Sequence, residues 1–221
     1  QYEYRSKAAD LMFVVCRVER PGGRKEFLPL RPVISEDTGA IEWETRAYPE
    51  PRPLYGLPQL SAKPADKKVI VVEGEKAAEA LLARKPANPV LTWSGGSRAW
   101  QKTDWAPIHG REVILWPDND EAGREAMRGI AELLRAHGST VHILGTAEEL
   151  MDIPGGDCAD FPADERFAVL ARLMKTATVI EPKDPEQAPP LDQGNAPSVV
   201  GATSAPNPTE QTEPLGTVLS E

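Results

Sequence analysis

A mostly parallel α/β sheet of about four strands, flanked by helices, is predicted for the middle of this chain. A small β-rich lobe precedes it and a disordered, proline-rich acidic tail follows. Two segments carry the prediction. VIVVEGEK (residues 69–76) and EVILWPDNDEAG (residues 112–123) each run a β-branched apolar stretch into carboxylates and then into a helical pattern. With the strand signals at 89–93 and 140–144, the order becomes β-α-β-x-β-α-β, which calls for a largely parallel sheet with helices on both faces.

The elements follow in order. Residues 1–62 hold short apolar or alternating runs (YEYR, LMFVVCRVER, KEFLPLRP) broken by Pro21-Gly22-Gly23, so a hairpin is expected between residues 11–18 and 26–30. Arg17, Arg20, Arg24, Lys25, Arg31, Arg46 and Arg52 lie among aromatics in this lobe. They make either a solvated face or a nucleic-acid surface. A polar linker, SAKPADKK, leads into the first core strand at residues 68–72. Ala77, Ala78, Leu81 and Leu82 give the next helix its apolar face, and Pro86 stops it. Residues 98–109 read as irregular or briefly helical. The strand at 112–116 leads to a long helix over 121–137, with Ala126, Ile130, Leu133 and Leu134 on one face and Gly138 as its stop. A last amphipathic helix is predicted over 164–175, closing an α/β domain of residues 67–178. From residue 181 aromatics vanish and Pro, Ser, Thr, Gln and Glu dominate, a composition that buries too little apolar area to offset the entropy of ordering.

Bulk composition narrows the partners. The 221 residues carry a net charge of −9, but residues 181–221 hold seven acids and one lysine, leaving about −3 for the rest. Acidity therefore belongs mainly to the tail, and a local basic patch on the body is compatible with it. Cys16 and Cys158 lie far apart and form no metal-binding spacing, and two cysteines make no disulfide framework, so a reducing, cytoplasmic compartment is expected. No apolar run approaches membrane-spanning length, and no membrane partner is expected. The chain opens on Gln1 rather than Met, which fits a piece of a longer protein.

The chemistry is expected at the strand ends. Ligands of parallel α/β sheets bind at the C-terminal strand edge, and right-handed crossovers bring Glu73, Asp118 and Asp120 to that same edge. In extended backbone, residues two apart project to one side, so Asp118 and Asp120 could share a divalent cation such as Mg²⁺ or Mn²⁺. One of them could instead simply cap the following helix. Glu73, before a glycine, could act as general acid/base or as a further ligand. Lys76, in a first helical turn, is either a plain solvated lysine or the partner of an anionic neighbour, Glu73 or a substrate phosphate. Gly95 and Gly96 could offer backbone N–H groups to a phosphate, helped by Arg98 and Lys102. Asp157 and Asp160, in GDCAD, lie beyond the fourth strand and make either a plain turn or a further part of the same edge. His109, His137 and His142 share no ligand spacing and read as structural or exposed.

Taken together, Glu73-Gly74, then Asp118-x-Asp120 with Ala122-Gly123, then GDCADF (residues 156–161) resemble a Toprim domain, the metal-binding α/β module of DnaG-type primases, topoisomerases and some nucleases. The wider layout resembles the primase-like Toprim proteins of phages and mobile elements, often fused to a helicase: a YxYR opening (residues 2–5), a Leu-Pro-x-Leu turn (residues 57–60), VVEGEK, a GG loop and PDND. The resemblance implies that Glu73 is the acid/base and that Asp118 and Asp120 hold Mg²⁺ or Mn²⁺. Asp157 would be a further acidic ligand, with Asp160 beside it. It implies nucleotidyl transfer on single-stranded DNA, with nucleotides as substrates and a replicative helicase, fused or separate, as partner. A metal-dependent nuclease, and a non-catalytic module binding DNA or a replication partner, are the alternatives. Within these 221 residues there are no zinc-ribbon cysteines and no GxxxxGK[ST] motif, so a catalytic core working with partners is expected.

Overall fold

The computed structural model describes residues 1–23 and 25–182. Arg24 of the basic N-terminal set, and the predicted disordered tail apart from Glu181 and Pro182, lie outside the described residues.

Two sheets, both within one compact unit, organise the described chain. The N-terminal sheet is antiparallel in the order β1 (Tyr2–Arg5), β2 (Leu11–Glu19), β3 (Lys25–Ile34), β4 (Ile41–Thr45). The predicted hairpin is β2–β3, with Val15 opposite Pro29 and Arg17 opposite Phe27. Its turn contains Gly22 and Gly23, both at positive φ, which glycine alone adopts without strain. β3 runs past the expected end, through Pro29 and Pro32, to Ile34, and pairs with β4, a strand absent from the prediction. All five β4 residues are exposed, and its two apolar positions are too few to register as a periodic signal. Tyr4, Phe13 and Val15 form a small buried cluster, in which Tyr4 stacks on Phe13 and Phe13 on Tyr48.

A short helix, α1 (Leu57–Ala62), occupies the stretch read as a turn and the start of a linker. Then come β5 (Val69–Val72), α2 (Glu75–Leu82), β6 (Val90–Leu91), β7 (Glu112–Trp116), α3 (Glu121–Ala136), β8 (Thr140–Ile143), α4 (Arg166–Leu173) and β9 (Thr178–Ile180). The second sheet has the order β6-β5-β7-β8-β9. It is parallel except for β9, which runs antiparallel to β8. The sheet thus has five strands rather than about four. β9 was missed because TVI is short and starts directly after a helical pattern. The class and the positions of α2, α3 and α4 are as expected.

All four residues of β5 are buried, and alternation divides them between two cores. Val69 and Val71 pack with Met127, Ile130 and Leu134 of α3, whereas Ile70 and Val72 pack with Ala77, Ala78 and Leu81 of α2 and with Leu170 of α4. Helices therefore cover both faces, and only the strand ends stay open for chemistry. No helix among the described residues is long and apolar enough to cross a membrane.

Candidate active site

The pairing of Val72 with Trp116 aligns the C-terminal ends of β5 and β7 side by side. The chain leaves β5 at Glu73 and turns through Gly74, whose φ of 81° suits glycine, into α2. It leaves β7 at Pro117-Asp118 and enters α3 behind Asp120. Glu73 and Asp118 consequently line one cleft of about 510 Å³. Gly95 and Gly96 form part of its wall, and Val15 and Phe27 of the N-terminal sheet face it.

The electrostatics single out Asp118. Burial, reinforced by the charges of Glu73, Asp157 and Asp120, pushes its carboxyl up to about 8. Burial also raises Glu73, against a hydrogen bond from Ser97 that favours its ionised form. Ser97 Oγ donates to Glu73 Oε1, while Glu73 Oε2 is buried and has no partner among the protein's groups. Space for that oxygen exists because residue 123 is glycine: a Cβ there would stand 2.7 Å from Glu73 Oε2.

The two aspartates divide their roles. Asp120 is the N-cap of α3, its Oδ1 accepting from Gly123 N at 2.7 Å. The capping role weighed for this motif thus belongs to Asp120. Asp118 is the residue left facing its acidic neighbours. Lys76 does not pair with Glu73: its Nζ lies 3.1 Å from Asp157 Oδ2 and 3.3 Å from Asp160 Oδ1. Asp157 and Asp160 also form a capping box around the short turn Cys158–Asp160. That turn is fastened by Arg166, whose guanidinium donates to the carbonyls of Cys158, Ala159 and Ala80. Arg98 is exposed on a separate hollow of about 470 Å³, and Lys102 pairs with Glu50 at 2.9 Å. Neither lines the Glu73 cleft. His109 and His137 stack on each other, and His142 bonds to Glu112, as befits structural residues.

Four contributors escaped the sequence reading as site residues. Ser97 orients Glu73. Phe27, half exposed, faces the carboxylates from the other lobe. Asn119 ties down the loop before Asp157. Tyr4 donates to the buried Glu75 at 2.7 Å, docking the lobe on α2 beside Glu73. Ser97 directly follows the Gly95-Gly96 loop and Tyr4 lies within the YEYR run; Phe27 had only its strand alternation as a signal.

Among the described residues, no group of three His, Cys, Asp or Glu side chains stands at metal-holding spacing. Mg²⁺, however, is commonly held by one or two carboxylates, with waters and substrate phosphates completing its shell. Asp118 with its carboxylate neighbours, and the unpartnered Glu73 oxygen, fit a hard divalent cation in donor chemistry.

No protein-family model matches the chain, and no curated protein matches it. Solved structures similar to it include the zinc-binding and RNA polymerase domains of the Aquifex aeolicus primase: 22% identity, TM-score 0.46, 77% of this chain and 41% of that one. The primase fragment of the bacteriophage T7 primase-helicase protein is 18% identical, TM-score 0.46, over 77% of this chain and 60% of that one. The E. coli primase catalytic core is 22% identical, TM-score 0.43, over 76% of this chain and 53% of that one. This chain thus spans less than two thirds of each. DnaG-type and phage primases are the kinds of protein that the motif resemblance anticipated.

Proposed function

We propose that this chain is a primase-like Toprim core that transfers nucleotides on a single-stranded DNA template with Mg²⁺ or Mn²⁺. The observation that carries the reading is the pairing of Asp118, held up to about 8, with the unpartnered Glu73 oxygen in one cleft. Such crowding of carboxylates is typical of a site built for a cation and a proton acceptor. Asp118, with Asp157 and the free oxygen of Asp120, would hold the ion. When bound, Mg²⁺ would neutralise charge on the incoming nucleotide's phosphates. Glu73 would accept the proton of the attacking 3′-hydroxyl, with Ser97 keeping its carboxylate aimed. Gly95 and Gly96 are the phosphate-facing candidates on the cleft wall. Phe27 would support a base of the template. The phage or mobile-element setting and a fused or separate helicase partner belong to the same proposal and rest on the motif layout.

The test is a gel assay with single-stranded DNA, labelled ribonucleotides and Mg²⁺ or Mn²⁺, comparing the wild-type chain with Glu73→Gln and Asp118→Asn. Short new oligonucleotides, lost in both variants, are expected. Template shortening that is lost in the same variants would make the protein a nuclease. Calorimetry showing no cation binding would sink both enzyme readings and leave a DNA- or partner-binding module.

A further inference from the structure

The loop from β8 to Asp157 is long, and much of it is exposed: Met151 by 67% and Ile153 by 44%. Its attachments converge on Asn119, the residue between Asp118 and Asp120. Asn119 N–H donates to Gly156 O at 2.9 Å, and Gly155 N–H donates to Asn119 O at 3.0 Å. Its side-chain Nδ2 donates to Leu150 O at 2.5 Å and to Ile153 O at 3.1 Å. Its Oδ1 accepts from Thr146 Oγ1 at 3.3 Å and Arg124 Nη1 at 3.4 Å. One amide thereby uses both its donors and its acceptor, on both ends of this loop and on Arg124 of α3.

Downstream, Arg166 fastens Cys158 and Ala159 to the Ala80 carbonyl of α2. The Asp157 arm is therefore held to the Glu73 side by Arg166 and to the Asp118 side by Asn119. We propose that Asn119 is a positioning residue that sets the spacing between Asp118 and Asp157. The role rests on the acidic-edge reading of the site. An aspartate at 119 would turn oxygens toward main-chain carbonyls, and glutamine would be a methylene too long. Only the asparagine amide satisfies both the carbonyls and the Thr146 hydroxyl at this reach.

The experiment pairs hydrogen exchange over residues 146–156 with Mn²⁺ calorimetry, on wild type, Asn119→Asp, Asn119→Ala and Thr146→Val. Exchange in that loop should quicken at least tenfold in both Asn119 variants, and Mn²⁺ affinity should fall roughly tenfold, as when an outer-shell partner of a metal ligand is lost. Thr146→Val, which removes one bond from the same amide, should move both readouts less and in the same direction. It keeps the test decisive if the Asn119 variants do not fold. Unchanged exchange would overturn the staple. Faster exchange with Mn²⁺ affinity within twofold of wild type would leave a structural staple and overturn the positioning role. A wild-type chain that binds no Mn²⁺ would overturn the acidic edge and this role with it, the exchange data showing separately whether the staple holds.

Discussion

Asp118 costs the fold stability where its carboxyl is ionised. Its folded carboxyl titrates at about 8 against an ordinary value of 3.8. A raised folded value means the native state binds the proton more tightly than the unfolded chain. The corresponding stability is fully present below pH 3.8 and is lost as pH rises through about 8. Asp118→Asn should therefore raise the melting temperature of the cation-free protein, by most at pH 9, and, on the proposed function, should abolish primer synthesis. Thermal melts from pH 5 to 9 check this; a variant less stable than wild type at pH 9 would contradict it. Gly123 makes the converse point. An added methyl favours the helix by about 1 kcal/mol, yet its carbon would meet Glu73 Oε2 at 2.7 Å and the Asp118 carbonyl at 3.2 Å. Gly123→Ala should fold with near-wild-type stability and, if Glu73 is the proposed acid/base, lose primer synthesis by roughly 10²-fold, the cost of a misplaced catalytic group. Melting and primer synthesis measured side by side separate the two effects.

At the scale of elements, the strand ends were readable because two independent signals coincide there. Each of β5 and β7 is a β-branched run stopped by carboxylates, and crossover handedness then dictates the shared edge. Chemistry that depends on distant partners left no such trace. The bond from Ser97 to Glu73 spans 24 residues, and that from Tyr4 to Glu75 spans 71. Nothing periodic in the sequence encodes either. Local competition explains the other corrections. Asp120 satisfies an orphan N–H at the start of α3, and Lys76 finds the carboxylates of Asp157 and Asp160 rather than Glu73. The link from β1 to α2 is itself testable. Tyr4 is fully buried, and its hydroxyl is a partner of the buried Glu75. Tyr4→Phe leaves that carboxyl unsatisfied and should cost about 1–3 kcal/mol. Adding Glu75→Leu removes the orphan group, so the double variant should be more stable than Tyr4→Phe alone. Chemical denaturation of the two variants measures the difference, and equal stabilities would mean Glu75 finds water instead.

Across the whole molecule, the two sheets matter for what lies between them. The α/β sheet supplies Glu73 and Asp118 to the cleft, and the N-terminal sheet supplies Val15 and Phe27. Phe27, half exposed, lines the cleft opposite carboxylates that would repel a bare nucleic-acid backbone. An aromatic face tolerates any base, whereas phosphates need a cation to approach the acidic wall. Arg17, directly opposite Phe27 across the strand pair, places a guanidinium on that same lobe. The division of labour predicts separable defects. Phe27→Ala should weaken binding of a short single-stranded oligonucleotide by about 1–3 kcal/mol, the usual worth of one base–aromatic stack, which is about 5- to 150-fold in affinity. Cation binding should stay at the wild-type level, because Phe27 contributes no oxygen to the acidic edge. On the proposed function, Asp118→Asn should reverse the pattern, losing the cation while keeping the cation-independent part of oligonucleotide binding. Fluorescence anisotropy with and without Mg²⁺, beside calorimetry of the ion alone, reads both. If Phe27→Ala binds the oligonucleotide as tightly as wild type, the strand does not cross this cleft.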